Sequence, residues 1–188
     1  MSEELFKFSP TKKLAVYDVA QLVPENSPNL KVSCVPFDFT DQSADPLKLA
    51  HTLFEAMFRE HGVGLTANQV GRTEAVFTIG FEEANKQVFF NPEIIEESLD
   101  QISADEGCLS YPGLFLKVKR PSWIKLKYQH VNSEWREETY SGFTARIICH
   151  EMMHIKGELF TSVVPSLSLM LAKEKRTKSL KKKSRLKI

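Results

Sequence analysis

His150, Glu151 and His154 stand in the order His-Glu-Met-Met-His. On a helix, residues i and i+4 share a face, so both imidazoles can bind one metal ion. Glu151 sits beside them, where a carboxylate can take a proton from a water polarised by that metal. The plain alternative is an accidental pair of histidines, and the well-patterned helix around the motif weighs against it. Two histidines leave a divalent ion one protein ligand short of a catalytic site with one open position. The longer pattern HExxHxxGxxH is excluded: Gly157 fits it, but the last position is Phe160, which cannot coordinate. Three thiols remain. Cys149 directly precedes His150 and points about 100° away around the helix. Cys34 lies among prolines with no surrounding pattern. Cys108 lies in Glu106-Gly107-Cys108-Leu109-Ser110-Tyr111-Pro112, a turn bounded by Gly and Pro that can present a thiolate. A lone cysteine is more often a small buried hydrophobe than a ligand. Cys108 stands out only because the histidine pair needs a partner.

The elements that position these residues are legible in outline. Asp45 can cap a helix that begins at Pro46, and Ala50, Leu53, Phe54, Met57 and Phe58 recur at helical spacing before a stop at His61-Gly62. Gly62-Val63-Gly64-Leu65-Thr66-Ala67-Asn68-Gln69 follows. Its glycines allow close backbone approach and Gln69 offers an amide donor, although glycines after a helix most often mark a C-cap turn. From about Glu74 to Tyr140 the pattern is one of short strands: VFTIGF, QVFFNPEI, SWIKLKYQHV and the stretch around REETYSGF. A second helix is expected from about Ser141 to Lys156, with Phe143, Ile147, Ile148, Met152 and Ile155 as its apolar face. Pro165 opens a third helical stretch. The expected architecture is α+β: mostly antiparallel sheets packed around a central HExxH helix, with a helix in the N-terminal half and another at the C-terminus.

The 188 residues, 42% hydrophobic and 26% charged, suit one globular domain and exclude a wholly disordered or fibrous chain. No run approaches the roughly 18 apolar residues of a spanning helix, so no membrane association is expected. No secretory signal is read at the N-terminus, and three cysteines are too few for a disulfide framework, which favours a cytoplasmic setting. The formal net charge of +1 conceals an asymmetry. Residues 172–188 hold nine Lys/Arg against Glu174 alone, a net of +8, over a mildly acidic body.

In this order, GVGLTANQ, EGCLS and CHEMMH resemble the three motifs of the peptide deformylase family, GφGφAAxQ, EGCφS and QHExDH. Further segments are similar: PNLKVSCVPF, FFNPEI, VKRPSWIKLKY, GFTARII and HIKGELF, so the likeness runs from about Pro28 to Phe160. It implies domain limits of 1–27 for an N-terminal arm, 28–164 for the catalytic domain and 165–188 for a C-terminal helix and basic tail. It implies removal of the formyl group from formyl-methionyl peptides, with one divalent ion, Fe²⁺ natively and Zn²⁺, Ni²⁺ or Co²⁺ as replacements. Cys108, His150 and His154 would be its ligands, Glu151 the general base, and the Gln69 amide and Leu109 N–H the donors to the developing oxyanion. Val63, Gly64, Phe143 and Ile147 match substrate-contacting positions. Some members dock on the ribosome through a C-terminal helix, a role that the basic tail would suit; a merely solvated terminus is the alternative. The chain departs from the family at Cys149 for Gln, Met153 for Asp and Thr66 for one alanine, changes expected to alter hydrogen bonding around the histidines. The competing functions are a zinc-dependent peptidase and a catalytically silent metal-binding homologue.

Overall fold

The computed structural model describes residues 20–185; most of the expected 1–27 arm and the last three residues of the basic tail lie outside them. Helix α1 spans Pro46–Arg59. The Asp45 carboxylate accepts the Lys48 N–H at 2.9 Å, satisfying one of the amides that a helix start leaves without a partner. Pro46 costs nothing there, because its missing N–H would have been one of those amides. Seven strands follow in chain order: β1 (Gly64–Thr66), β2 (Val76–Ile79), β3 (Gln87–Glu97), β4 (Gln101–Gly107), β5 (Phe115–Pro121), β6 (Trp123–Gln129) and β7 (Trp135–Ser141). Helix α2 (Gly142–Ile155) carries the histidine motif, and α3 (Ser166–Arg185) closes the described chain.

The strands form two antiparallel sheets, one of five in the order β1-β2-β3-β6-β7 and the hairpin β4-β5. This is the α+β arrangement expected from the sequence. Successive strand residues point to opposite faces. Val76, Val88 and Phe90 therefore pack with Leu53 and Met57 of α1, while Phe77, Ile79 and Phe89 pack with Ile148 and Met152 of α2. Both faces of β2 are covered, so all four residues of VFTI are buried, Thr78 among them. A third cluster, Tyr111, Leu114, Leu116, Val118 and Phe160, lies beneath the hairpin, and Leu169 and Ala172 of α3 pack on it.

Helix α2 is enclosed on nearly every side: each residue from Ala145 to His154 is buried. One expectation fails at its start. Phe143 is 57% exposed and does not join the buried face; its ring lies 5.7 Å from that of Phe81. The apolar stripe begins only at Ala145, because Gly142 directly follows β7 and the first turn emerges at the surface.

Gly157 ends α2 in a left-handed conformation, φ +70°. Its N–H bonds to the His154 carbonyl and the Glu158 N–H to that of Met153, a Schellman closure. The Cys34 N–H caps Ile155, so the irregular segment before α1 seals the helix end. A Cβ at Gly157 would lie 2.8 Å from the Lys31 backbone. Gly157→Ala combines that collision with an unfavourable φ, and a loss of more than about 1 kcal/mol is expected in denaturant melts.

Candidate metal centre and cleft

The i, i+4 spacing places the His150 and His154 rings on one face of α2, with centroids 5.3 Å apart. Cys108 arrives from the turn after β4, a turn closed by the Tyr111 N–H on the Cys108 carbonyl at 2.9 Å. Its Sγ lies 3.3 Å from His154 Nε2. One donor atom from each of Cys108, His150 and His154 falls within 4.8 Å of the others. Donors around one tetrahedral ion sit about 3.5 Å apart, given metal–sulfur and metal–nitrogen bonds of about 2.3 and 2.0–2.1 Å. The set therefore fits a divalent metal. The other two thiols stand apart from it: burial pushes Cys34 and Cys149 each up to about 11, which keeps them protonated.

Glu106 on β4 orients this set. Its carboxylate accepts Arg120 Nε at 3.0 Å and Nη2 at 2.9 Å, and Arg146 Nη1 at 2.6 Å. His150 Nδ1 lies 3.3 Å from Oε2. Burial pushes the Glu106 carboxyl up, but hydrogen bonds from His150 and Arg120, with their charges, outweigh it and hold the pKa at about 2. An ionised acceptor at Nδ1 places the ring proton there and leaves Nε2 as the donor to a metal. Burial disfavours charge on both imidazoles. At His150 the hydrogen bonds to Cys108 and Glu106 reverse that and raise the pKa, whereas at His154 burial and the neighbouring His150 both lower it. The metal-free site thus favours a proton where a cation would supply the charge.

Glu151 is buried, and burial raises its pKa despite the nearby His150 and a hydrogen bond from Thr66. The Thr66 hydroxyl lies 2.7 Å from Glu151 Oε2. Gln69 lies in the 3₁₀ turn Ala67–Val70 that follows β1. Its Oε1 accepts the Thr66 N–H at 2.8 Å, which aims Nε2 at Ser110 Oγ, 3.0 Å away, and Cys108 Sγ, 3.6 Å away. Asn68 Nδ2 donates to the His154 carbonyl at 2.6 Å. In front of these groups opens a cleft of about 580 Å³. Val63, Gly64, Gln69, Leu109, Phe143 and Ile147 line it together with Cys108, His150 and Glu151; His154, the remaining site residue expected from sequence, adjoins them through Cys108.

The sequence reading gave no role to Glu106, Arg120, Arg146, Thr66, Asn68 or Ser110. One signal was available for Arg120. Strand β5 alternates outward Lys117 and Lys119 with inward Leu116, Val118 and Arg120, and an arginine on the inward face requires a buried acid.

A thiol, two imidazoles and a shielded carboxylate facing an apolar cleft suit hydrolysis assisted by a metal ion. The comparisons name the particular family. The sequence profile of polypeptide deformylase matches residues 19–169. A peptide deformylase from Cytophaga hutchinsonii is 38% identical over 149 residues, covering 74% of this chain and 80% of that one. One from Pseudothermotoga lettingae is 37% identical over 120 residues, covering 64% and 69%. The structure of the Legionella pneumophila peptide deformylase matches with a TM-score of 0.78 at 27% identity, covering 89% of this chain and 99% of that one. That from Synechococcus elongatus, in complex with actinonin, matches with a TM-score of 0.78 at 30% identity, covering 88% and 91%. The chain belongs to the peptide deformylase family, metal-dependent hydrolases that remove the N-formyl group from nascent polypeptides.

Removing one partner from a buried ionic cluster costs about 3–5 kcal/mol, because the remaining charges lose their compensation. Glu106→Ala, which strands Arg120 and Arg146, is expected to lose that much in chemical denaturation. The pH dependence has a definite sign. A carboxyl held at about 2 contributes stability above its unfolded pKa of about 4.3, and that contribution disappears as pH falls toward 2. Melts of metal-free wild type should show this acid-side loss, and melts of Glu106→Gln should lack it.

Proposed function

We propose that Cys108, His150 and His154 hold the metal and that Glu151 is the general base in deformylation. The carrying observation is the burial of Glu151 next to the converging thiol and imidazoles. When bound, a divalent ion supplies Lewis acidity, polarising the formyl oxygen and lowering the pKa of the attacking water. A Cys/His/His set suits both iron and zinc, and Fe²⁺ is the native ion in this reading.

Val63, Phe143 and Ile147 present apolar surface to the methionine side chain, and Gly64 lets the substrate backbone approach. The formyl carbon then faces the metal side of the cleft. Glu151 takes a proton from the water that attacks this carbon. The Gln69 Nε2 amide and the Leu109 N–H donate to the oxygen on which negative charge develops. As the C–N bond breaks, Glu151 delivers its proton to the departing nitrogen, leaving formate and a free amino terminus. Water exclusion comes from the enclosed α2, buried from Ala145 to His154, with the cleft giving access to Glu151.

Residues 28–164 form the catalytic unit in this reading, with 1–27 as an arm and 165–188 as a helix and tail serving the ribosome. The charge of α3 supports that role. Its first turn holds no acid, and Arg176 forks onto Glu25 at 3.1 and 2.7 Å, fixing the helix to the body, while a run rich in Lys and Arg suits phosphates. No helix among the described residues is long and apolar enough to cross a membrane.

Two substitutions separate holding the metal from moving the proton. Cys108→Ala should lose the ion on dialysis; one tightly held metal and full activity in that variant would refute the ligand set. Glu151→Gln should keep the metal and still bind formyl-Met-Ala-Ser, with formate release at least about 100-fold slower. Deleting residues 177–188 retains the Arg176–Glu25 fork. That truncation should preserve turnover of small peptides and weaken sedimentation with ribosomes, most strongly at low salt.

A further inference from the structure

Thr66 stands where the family pattern resembled by this chain has an alanine. It is the last residue of β1 and is fully buried. Its hydroxyl has one proton and two acceptors in reach, the Glu151 carbonyl at 3.3 Å and Glu151 Oε2 at 2.7 Å. A threonine hydroxyl at a strand end can satisfy itself on a backbone carbonyl. Here the shorter distance and the higher electron density of the carboxyl oxygen both direct the proton to Oε2. Among the described residues, Thr66 is the side chain that donates to this carboxyl group. The other oxygen, Oε1, lies against Gly64 at the cleft wall, where a Cβ would approach it to within 2.4 Å. The same threonine also gives its backbone N–H to Gln69 Oε1. An alanine would retain that second bond and lose the first.

We infer that Thr66 is a positioning residue for Glu151: its hydroxyl anchors Oε2, fixes the plane of the carboxyl group and leaves Oε1 as the oxygen that exchanges the proton. The β-branched side chain suits this task, since its χ1 is restricted. Gly64 completes the arrangement by leaving Oε1 the room that any side chain would take. The inference rests on the assignment of Glu151 as the base.

The test uses metal-loaded Thr66→Ala, Thr66→Val and Thr66→Ser, alone and combined with Glu151→Gln. Loss of one hydrogen bond to a charged group corresponds to about tenfold or more in rate. Thr66→Ala and Thr66→Val should show kcat lowered by that factor with KM and metal content unchanged, and Thr66→Ser should recover most of it. In the Glu151→Gln background, Thr66→Ala should add nothing. The infrared carboxyl band of Glu151, assigned by its absence from Glu151→Gln, should move in Thr66→Ala and stay in Thr66→Ser. Wild-type kcat in Thr66→Ala, or the same further loss in the Glu151→Gln background, would overturn the positioning role. Full turnover in Glu151→Gln would overturn that role together with the base assignment, whereas an inactive Glu151→Gln beside undiminished Thr66 variants sinks the positioning role alone. Should Thr66→Val fail to fold because its methyl group meets the carboxyl oxygen, Thr66→Ala and Thr66→Ser decide.

Discussion

The candidate metal site depends on one buried carboxylate. The β4-β5 hairpin shares no backbone ladder with the five-stranded sheet, yet it carries the thiol that must meet the histidines of α2. Glu106, two residues before Cys108, holds Arg120 from its own hairpin and Arg146 and His150 from the helix. Arg146 adds bonds to the carbonyls of Ile102 and Val118, so both strands of the hairpin hang on α2. A cluster of this kind adds little net stability compared with a well-packed apolar core. What it adds is geometry: the position of Cys108 and the ring orientation of His150 are set by the same acid.

The helix meets two incompatible demands by dividing its surface. Arg146, His150 and His154 recur every four residues and form a polar stripe toward Glu106 and Cys108. Ala145, Ile148, Cys149 and Met152 turn toward the sheet. This division accounts for two of the departures from the family motif. Cys149 lies in the apolar cluster, where its uncharged thiol acts as a small hydrophobe. Met153 lies by the ionic group and accepts Arg120 Nη1 on its sulfur at 3.2 Å. A thioether is a weak acceptor, so Arg120 depends on Glu106 for charge compensation.

Local rules made the helices readable. Asp45-Pro46 marks a start that needs no tertiary information, and the apolar spacing of α1 points at the core it fills. The histidine motif announced its chemistry for the same reason, since i, i+4 geometry is intrinsic to a helix. Strand β1 was hidden because it has three residues, comes soon after a helix and contains a glycine. It exists through pairing with β2, a contact that no local pattern displays. Glu106 was hidden for a related reason: an acid on a strand normally reads as an outward residue, and only the arginine buried on the partner strand shows otherwise. Phe143 misled in the opposite sense, as an apolar residue in helical phase that lies at the mouth of the cleft.

Charge balance then sets the character of the site. Among the described residues, the buried carboxyl groups are Glu106 and Glu151, and the buried guanidiniums are Arg120 and Arg146. These four compensate one another, so a Cys108 thiolate leaves the cluster one unit negative, the deficit that favours a proton on His150. A divalent ion reverses the sign to one unit positive. An aspartate in place of Met153, as in the family motif, would have cancelled that excess. On this count the proposed metal site would stand in one more unit of positive charge than the motif implies. Buried charge of that sign is not screened as surface charge is. Charge of that sign would stabilise negative charge that develops in the cleft.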